Sequence, residues 1–277
     1  QGVRISGSDL AQNEQTRELE ARGIKIVLGH ATENVPADAQ AIVFSSATRE
    51  SNPERVEGLK RRLPSYNSHQ FLGFLAKELK QIVITGTHGK STTTAMMGVM
   101  AEAAHLDPTV VVGTRVPQFE EENVRIGHSD WLIAEGDEFD HHFLAYHPTV
   151  LVLNNIEADH FDIYPTIEAM IDAYRSLLLK IVDGGTIVAN IDDDRIRALL
   201  KEQREQLAAR KIQIKTVGTK HDADVRIDSR TIESGKQVIH IVSVELQEKV
   251  DLVLTIPGSI NAVNAVLCYA VSEALGL

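Results

Sequence analysis

The residues best suited to chemistry in this 277-residue chain stand in one short run that is rich in glycine. An apolar stretch at residues 82–84 precedes the run, and a helical pattern at residues 92–105 follows it. Glycine permits positive φ and a close approach of the backbone to a ligand, and the N–H groups that open a helix attract anions. The run therefore predicts a site for a nucleoside triphosphate. Its members are Gly86, Thr87, His88, Gly89, Lys90, Ser91 and Thr92.

Two side chains of this run have specific roles in the prediction. Lys90 would place a positive charge against the β- and γ-phosphates, and the Ser91 hydroxyl would ligate Mg²⁺. The strict phosphate-loop pattern has a further glycine where this chain has Ile84, so only the shorter Gly-x-x-Gly-Lys-Ser pattern is present. The alternative is an ordinary glycine turn with a surface lysine. The strand before the turn and the apolar helix after it favour the phosphate site.

Acidic and histidine side chains follow two further apolar strand patterns. Glu135 comes directly after residues 131–134, and His160 stands shortly after residues 149–153. Ligands of open α/β sheets collect outside the carboxyl ends of the strands, so we expect Glu135 to contact Mg²⁺ across from Ser91. We expect His160 to be a further metal ligand. A solvated acidic loop is the alternative for the carboxylates.

Strand patterns alternate with helix patterns through most of the chain, which predicts an α/β fold with parallel strands and right-handed crossovers. Residues 1–80 would form a small Rossmann-like unit, with polar residues 77–81 at its end. Residues 81–277 would form a phosphate-loop domain with a mostly parallel sheet, and antiparallel hairpins at one side of it near the C-terminus. Helices are predicted at residues 13–22, 52–62, 69–80, 92–105, 166–182, 193–210 and after Pro257-Gly258, and strands at residues 3–6, 24–28, 41–45, 82–84, 131–134, 149–153, 186–189, 212–217, 224–227, 238–244 and 250–256.

Composition and charge exclude several classes of protein. Hydrophobic residues make up 43% of the chain and charged residues 24%, which excludes collagen, disordered chains and disulfide scaffolds. The longest apolar runs fall far short of the about 20 residues that a membrane-spanning helix needs, so no membrane insertion is expected. The net charge of −11 argues against a general affinity for nucleic acid. The single cysteine, Cys268, fits a reducing, cytoplasmic location.

Together these motifs resemble the Mur ligase family, whose ATP-dependent members build the peptide stem of peptidoglycan. The resemblance covers almost the whole chain and rests on the order and spacing of the motifs. Within residues 1–80 it is carried by Gly7-Ser8-Asp9-Leu10, Gly29-His30, Ser45-Ser46-Ala47 and Asn52-Pro53-Glu54. Within residues 81–277 it is carried by Gly86-Thr87-His88-Gly89-Lys90, Glu135-Gly136-Asp137-Glu138, residues 155–160, and Pro257-Gly258 with Asn261 and Asn264.

The resemblance implies a two-step ligation. ATP would phosphorylate the lactyl carboxylate of UDP-N-acetylmuramate, and the amine of L-alanine would then displace phosphate from the acyl phosphate. Catalytic roles are implied for Lys90, Glu135 and His160. Ser91 and Glu135 would hold a first Mg²⁺ or Mn²⁺, and His160 would hold a second. The protein would be a monomer or a homodimer. The residues implied to bind the nucleotides are Asn261 and Asn264 for adenine, and Ser8, Asp9, His30, Ser46 and Ala47 for the uridine nucleotide.

The sequence also departs from the family's pattern. The glycine-rich diphosphate loop that opens the family's first domain does not precede the first strand pattern, and the family's third domain would lie beyond Leu277. Ile260 stands where the family commonly has histidine, and Ser91 and Asn154 stand where it commonly has threonine. We therefore expect a fragment of a ligase, with an incomplete uridine domain, that does not turn over unaided.

Three alternatives remain open from the sequence. The pattern at residues 135–140 favours a related ligase that joins a tripeptide to UDP-N-acetylmuramate, whereas residues 7–13 and 52–53 favour the use of L-alanine. A non-catalytic nucleotide-binding module is the second alternative, suggested by Ile260. A nucleic-acid ATPase is the third, and the negative charge disfavours it.

Overall fold

The computed structural model describes residues 3–119 and 123–277. The chain divides into two compact units, Gln1–Leu72 and Gly73–Leu277. Each unit alternates strands with helices, so the predicted α/β class is confirmed.

The first unit contains two pairs of parallel strands, and one helix connects the members of each pair. Its elements are β1 (Ser6–Asp9), α1 (Glu14–Ala21), β2 (Lys25–Leu28), a 3-10 helix (Thr32–Asn34), β3 (Ile42–Phe44), α2 (Pro53–Lys60) and β4 (Ser65–Asn67). β1 pairs with β2, and β3 pairs with β4. Asn13 and Thr16 form a capping box that starts α1, and the Asn52 side chain caps α2. These caps fix where each helix leaves the preceding strand.

The second unit is built on a sheet of ten strands within the described residues, parallel at its centre and antiparallel at its edges. Helix α3 (Ser68–Leu75) leads into it. The strands are β5 (Lys80–Thr85), β6 (Thr109–Val111), β7 (Val124–Arg125), β8 (Trp131–Gly136), β9 (Val150–Leu153), β10 (Thr186–Asn190), β11 (Gln213–Gly218), β12 (Val225–Glu233), β13 (Lys236–Ser243) and β14 (Glu248–Leu254). Their order is β14-β13-β12-β11-β10-β9-β5-β8-β6-β7. The strands from β6 to β12 in this order run parallel, and β7, β13 and β14 add antiparallel pairs.

The helices of the second unit bury apolar residues, and two of them share one core cluster with the sheet. They are α4 (Lys90–Ala103), α5 (Ile167–Leu178), α6 (Asp194–Glu202), α7 (Arg204–Ala209) and α8 (Ser259–Leu275), with a 3-10 segment at Phe139–Ala145. α4 and α8 pack against each other and contribute Met97 and Leu267 to the core that contains Ile84 and Val152 of the sheet. None of the described helices combines the length and the apolar character that a bilayer crossing requires.

The predicted helix at residues 69–80 is wrong in its second half, because α3 ends and β5 begins within that range. Gln81 is buried inside this strand, although polar residues there indicated a boundary. Its Nε2 donates to the carbonyl oxygen of Ala76 at 2.8 Å, and its Oε1 accepts from the backbone N–H of His147 at 2.8 Å. Because both ends of the amide are bonded, the strand tolerates a buried polar residue.

Other differences concern the ends and pairing of elements. The first strand lies at Ser6–Asp9 instead of residues 3–6, and β4 was not predicted. The helix predicted at residues 193–210 is two helices that meet at Gln203. β11 pairs in parallel with both of its neighbours, so only β12, β13 and β14 form the antiparallel hairpins expected near the C-terminus.

Candidate nucleotide site

The phosphate turn, residues 86–89, joins the end of β5 to the first residue of α4. Gly86 has φ +143° and Gly89 has φ +84°, a region that glycine enters without strain. Space is also restricted, because a Cβ atom at Gly86 would lie 2.9 Å from the backbone nitrogen of Asn155. The turn thus requires glycine at both positions, and it leads into the N-terminus of a 14-residue helix. Such a terminus attracts anions.

The loop after β9 holds the phosphate turn in place through a set of paired hydrogen bonds. The side-chain amide of Asn155 accepts from the backbone N–H of His88 at 2.8 Å and donates to the His88 carbonyl at 2.9 Å. The Thr87 hydroxyl donates to the Glu157 carbonyl at 3.1 Å and accepts from the Glu157 N–H at 2.8 Å. The turn is therefore ordered by the protein itself. This role of Asn155 was not predicted, although Asn155 follows a strand pattern and belongs to the residues that carry the family resemblance.

Lys90 lies in a buried electrostatic cluster. Its Nζ donates to the Gly86 carbonyl at 2.9 Å and to Oε1 of Glu138 at 3.0 Å. The Glu138 side chain has 0% exposure, and His160 Nε2 lies 3.5 Å from its Oε1. Lys90 and His160 thus meet on one carboxylate. Glu138 carries part of the family resemblance but was not predicted as a site residue, because acidic residues in a loop are usually solvated.

Ser91 and Glu135 are also brought together, since β5 and β8 are neighbours in the sheet. The Ser91 hydroxyl donates to Oε1 of Glu135 at 3.1 Å, and the backbone N–H of Gly113 donates to Oε2 at 2.8 Å. A Cβ atom at Gly113 would lie 2.9 Å from that same oxygen. Gly113 therefore allows the backbone to approach and orient the carboxylate. It was not singled out in the sequence.

Asp137 adds a third carboxylate near Lys90. Burial by itself would raise the pKa of Asp137, but hydrogen bonds from His142 and the Phe139 N–H, with the charge of Lys90, hold this pKa below its usual range. Asp137 is therefore ionised at neutral pH. Single ligand atoms of Asp137, Glu138 and His160 all lie within 4.8 Å of one another, a spacing that could hold a metal ion.

The backbone around this cluster is locally strained. Asp140, His141 and His160 have φ of +47°, +59° and +52°, in the left-handed region that non-glycine residues rarely adopt. Such conformations cost free energy and are concentrated at functional sites.

The two asparagines expected near adenine lie on α8. Asn264 is buried, with 2% exposure, and its Oδ1 would lie 2.9 Å from a Cβ atom at Gly89. The side chain of Asn261 donates to the Pro257 carbonyl at 2.7 Å. Ile260 is 60% exposed, so this departure from the family's pattern leaves the core unchanged.

The candidate uridine residues lie in the first unit, where Glu54 organises part of the set. Its Oε2 accepts from the Ser8 hydroxyl at 2.7 Å, and its Oε1 accepts from Asn34 Nδ2 at 2.8 Å. Ser8 Oγ also lies 2.9 Å from His30 Nδ1. The Asp9 side chain accepts from the Ala11 N–H at 3.2 Å, which is an ordinary turn contact. Ser46 and Ala47 are exposed after β3. Glu54 carries part of the family resemblance but was not predicted as a binding residue.

Comparison with models of known protein families shows to which family the chain belongs. A model of the Mur ligase middle domain matches residues 84–272, and a model described as the Mur ligase family, catalytic domain, matches residues 1–80. The chain belongs to the Mur ligase family. The predicted resemblance is therefore confirmed.

Named relatives of this Mur ligase chain include the UDP-N-acetylmuramate–L-alanine ligase of Caldicellulosiruptor saccharolyticus, which is 33% identical over 274 residues. That alignment covers 99% of this chain and 58% of the relative, so the chain spans somewhat under three fifths of its relative's length. Two solved structures share the fold. The UDP-N-acetylmuramate-alanine ligase MurC of Thermotoga maritima has a TM-score of 0.80 at 24% identity, covering 98% of this chain and 59% of that one. The UDP-N-acetylmuramate:L-alanyl-gamma-D-glutamyl-meso-diaminopimelate ligase of Neisseria meningitides has a TM-score of 0.84 at 22% identity, covering 98% and 86%.

The residues around the phosphate turn are of the types that a phosphate anion and a divalent cation require. The phosphate turn contains two glycines with positive φ and leads directly to Lys90, and Glu138 is a wholly buried carboxylate. Carboxylate oxygens are the ligands that Mg²⁺ and Mn²⁺ take. Glu135 and Glu138 therefore suit a divalent cation bound together with a triphosphate. In this Mur ligase chain a cation would supply positive charge to the phosphoryl group.

Proposed function

We propose that this chain forms the nucleotide-binding part of a ligase that joins L-alanine to the carboxylate of UDP-N-acetylmuramate, with release of ADP and phosphate, in peptidoglycan precursor synthesis. Residues 1–80 would bind the uridine nucleotide and residues 81–277 would bind ATP. The observation that carries the proposal is the grouping of Ser91 with Glu135, and of Lys90 with Glu138, beside a glycine turn at a helix N-terminus. We assign the reaction to the cytoplasm.

The chemistry divides into two displacements. A carboxylate oxygen of UDP-N-acetylmuramate attacks the γ-phosphorus of ATP, the bond to the β,γ-bridging oxygen breaks, and ADP leaves. The amine of L-alanine then attacks the acyl carbon, the amide bond forms, and phosphate leaves as the amine loses a proton. The protein's part is to position the triphosphate and to neutralise its charge.

Each candidate residue would contact the phosphates, the metal ion, the adenine or the uridine nucleotide. Lys90 would hold the β- and γ-phosphate oxygens, and the N–H groups of the phosphate turn would bind the same anion. Ser91, Glu135 and His160 would hold Mg²⁺ or Mn²⁺, with Glu138 next to His160. Asn261 and Asn264 would lie on the adenine side. Ser8, Asp9, His30, Ser46 and Ala47 would bind the uridine nucleotide.

A titration of the chain with Mg-ATP tests the first half of the proposal. We expect the Lys90→Ala variant to bind at least about tenfold more weakly, because a charged hydrogen bond to phosphate is lost. Lys80→Ala is the matched control, since Lys80 is exposed and pairs with Asp130 at 3.1 Å at the other end of β5. Equal affinity of the Lys90 variant and the unchanged chain would show that ATP does not use the turn.

The amino-acid substrate needs a separate test. A tripeptide in place of L-alanine is the second candidate, and the pattern at residues 135–140 supports it. ADP release by the complete ligase, measured with UDP-N-acetylmuramate and either L-alanine or the tripeptide, distinguishes the two. Release with the tripeptide alone would reverse the assignment. Binding of Mg-ATP without release in either assay would instead favour a non-catalytic module.

A further inference from the structure

The side chain of Asn154 lies beneath the phosphate turn and is bonded to two elements at once. It follows β9 directly and is 1% exposed. Its Nδ2 donates to the Thr93 hydroxyl of α4 at 2.8 Å and to Oδ1 of Asn264 on α8 at 3.3 Å. The Thr93 hydroxyl in turn donates to the carbonyl of Gly89 at 2.8 Å. One amide thus connects the phosphate turn with the helix that follows Gly258.

The connection continues outward along α8. Asn264 Nδ2 donates to Oδ1 of Asn261 at 3.4 Å, and Asn261 Nδ2 donates to the carbonyl of Pro257 at 2.7 Å. Hydrogen bonds therefore run from Gly89 to Pro257 through side chains alone. We call the side chains of Thr93, Asn154, Asn264 and Asn261 the amide chain.

The contact between the amide chain and the phosphate turn is tight. A Cβ atom at Gly89 would lie 2.9 Å from Oδ1 of Asn264 and 3.1 Å from Nδ2 of Asn154. A displacement of the first turn of α8 toward the sheet would press these amides against Gly89, since the packed interior leaves no free space there. The position of α8 and the shape of the phosphate turn are thus coupled.

Among the described residues, asparagine at position 154 leaves one buried acceptor unpaired, which destabilises the fold. We infer that the residue is kept for the two hydrogen bonds that its amide nitrogen donates. Within the described ranges, 3–119 and 123–277, Oδ1 of Asn154 is buried and has no hydrogen-bond partner. A buried acceptor without a partner destabilises the folded state. The asparagine amide offers two N–H hydrogens from one nitrogen, whereas the hydroxyl of serine or threonine offers a single O–H. A hydroxyl residue could therefore bond to Thr93 or to Asn264 but not donate to both.

We propose that Asn154 is a positioning residue that couples the base-binding and phosphate-binding halves of the nucleotide site. The proposal rests on the proposed function, in which triphosphate lies at the turn and adenine lies near Asn261 and Asn264. A base held against the start of α8 fixes Asn264, and Asn154 transmits that order to Gly89. Part of the affinity that Mg-ATP gains over Mg-tripolyphosphate, which has no base, therefore depends on an intact amide chain.

Calorimetric titration with Mg-ATP and with Mg-tripolyphosphate tests the coupling. For the Asn154→Thr variant we expect about a tenfold loss of affinity for Mg-ATP, as for one buried hydrogen bond, and less than about a twofold loss for Mg-tripolyphosphate. Asn190→Thr is the matched control, because the Asn190 amide donates to the backbone carbonyl of Asn154 at 2.9 Å, outside the amide chain. The ratio of the two affinities should not change in this control.

A second variant keeps the test decisive if Asn154→Thr does not fold. Thr93→Val preserves the shape of the side chain and removes the hydroxyl that links Asn154 to Gly89, so it should produce the same selective loss. Losses of affinity by the same factor for both ligands, which leave the ratio of the two affinities unchanged, would overturn the coupling. Binding of Mg-ATP by the unchanged chain would then still support the proposed function. If the unchanged chain binds neither ligand, the proposed function fails, and the coupling fails with it.

Discussion

The ammonium group of Lys90 lies 2.9 Å from Oε2 of Glu138, a carboxylate with 0% exposure. A buried carboxylate is costly unless a cation compensates it. Lys90 therefore has a structural role in the chain, in addition to its proposed contact with phosphate. Binding and stability measurements can separate the two roles.

Removal of Lys90 should destabilise the fold. We expect Lys90→Met to lower the free energy of unfolding by about 3–5 kcal/mol, because Glu138 remains buried without its ammonium partner. The double variant Lys90→Met, Glu138→Gln should recover most of this loss, since no buried charge then remains. Urea denaturation measures both values. A double variant as unstable as the single one would show that Glu138 is not the source of the loss.

A methyl group at position 113 should weaken cation binding. In Gly113→Ala the new Cβ atom would lie 2.9 Å from Oε2 of Glu135, so the carboxylate must move. We expect the dissociation constant for Mn²⁺, measured by electron paramagnetic resonance with ATP present, to rise at least about tenfold, as is usual when the orientation of a ligand is lost.

Thr114→Ala provides the control for that measurement, because Thr114 is the exposed neighbour of Gly113. Its Mn²⁺ affinity should equal that of the unchanged chain. If Gly113→Ala binds Mn²⁺ with the same dissociation constant as the unchanged chain, Glu135 is not a metal ligand.

A second buried ion pair lies away from the nucleotide site. Lys215 Nζ is 2.7 Å from Oε2 of Glu273, and the two side chains are 10% and 5% exposed. We expect Lys215→Met to lower the free energy of unfolding by about 3–5 kcal/mol, and Lys215→Met with Glu273→Leu to recover it. Thermal and urea unfolding measure the difference. Lys80→Met serves as control, because its exposed pair with Asp130 should contribute little.

The same pair predicts a dependence on pH. Burial by itself would lower the pKa of Lys215, but hydrogen bonds to Glu245 and Glu273 raise it above the usual 10.5. A group whose pKa is raised on folding stabilises the fold below its unfolded pKa, and this contribution disappears as the pH rises through the folded pKa. The stability difference between the unchanged chain and Lys215→Met should therefore be constant near neutrality and shrink above about pH 10.5. A difference that grows with alkalinity would contradict this assignment.

Cys268 should be unreactive in the folded chain. It is 1% exposed, burial raises the pKa of its thiol to about 12, and its Sγ lies 3.4 Å from the carbonyl of Thr93. The thiolate is the reactive form, so iodoacetamide at pH 8 should label the chain only after unfolding in urea. Mass spectrometry detects the added group. Rapid labelling without urea would show that α8 opens from the core.

The local features of this protein follow from short stretches of its sequence. The glycines of the phosphate turn, the lysine and serine that follow, and the strand and helix on either side depend on conformational preferences within about ten residues. For that reason the turn and the α/β class could be predicted, whereas the family was predicted from the order and spacing of motifs along the whole chain. The helix ends were less accurate, as at residues 69–80, because the bonds that allow Gln81 in a strand come from the distant His147.

Tertiary structure alone decided which distant side chains meet. Glu138 becomes buried against Lys90, 48 residues away, and Asn154 reaches Asn264, 110 residues away. Gly113 orients Glu135 because β6 and β8 are neighbours in the sheet. Such contacts depend on the order of the strands, which is set by the burial of apolar surface over the whole unit. No local pattern encodes that order, so Glu138, Gly113 and the coupling role of Asn154 emerged only from the folded chain.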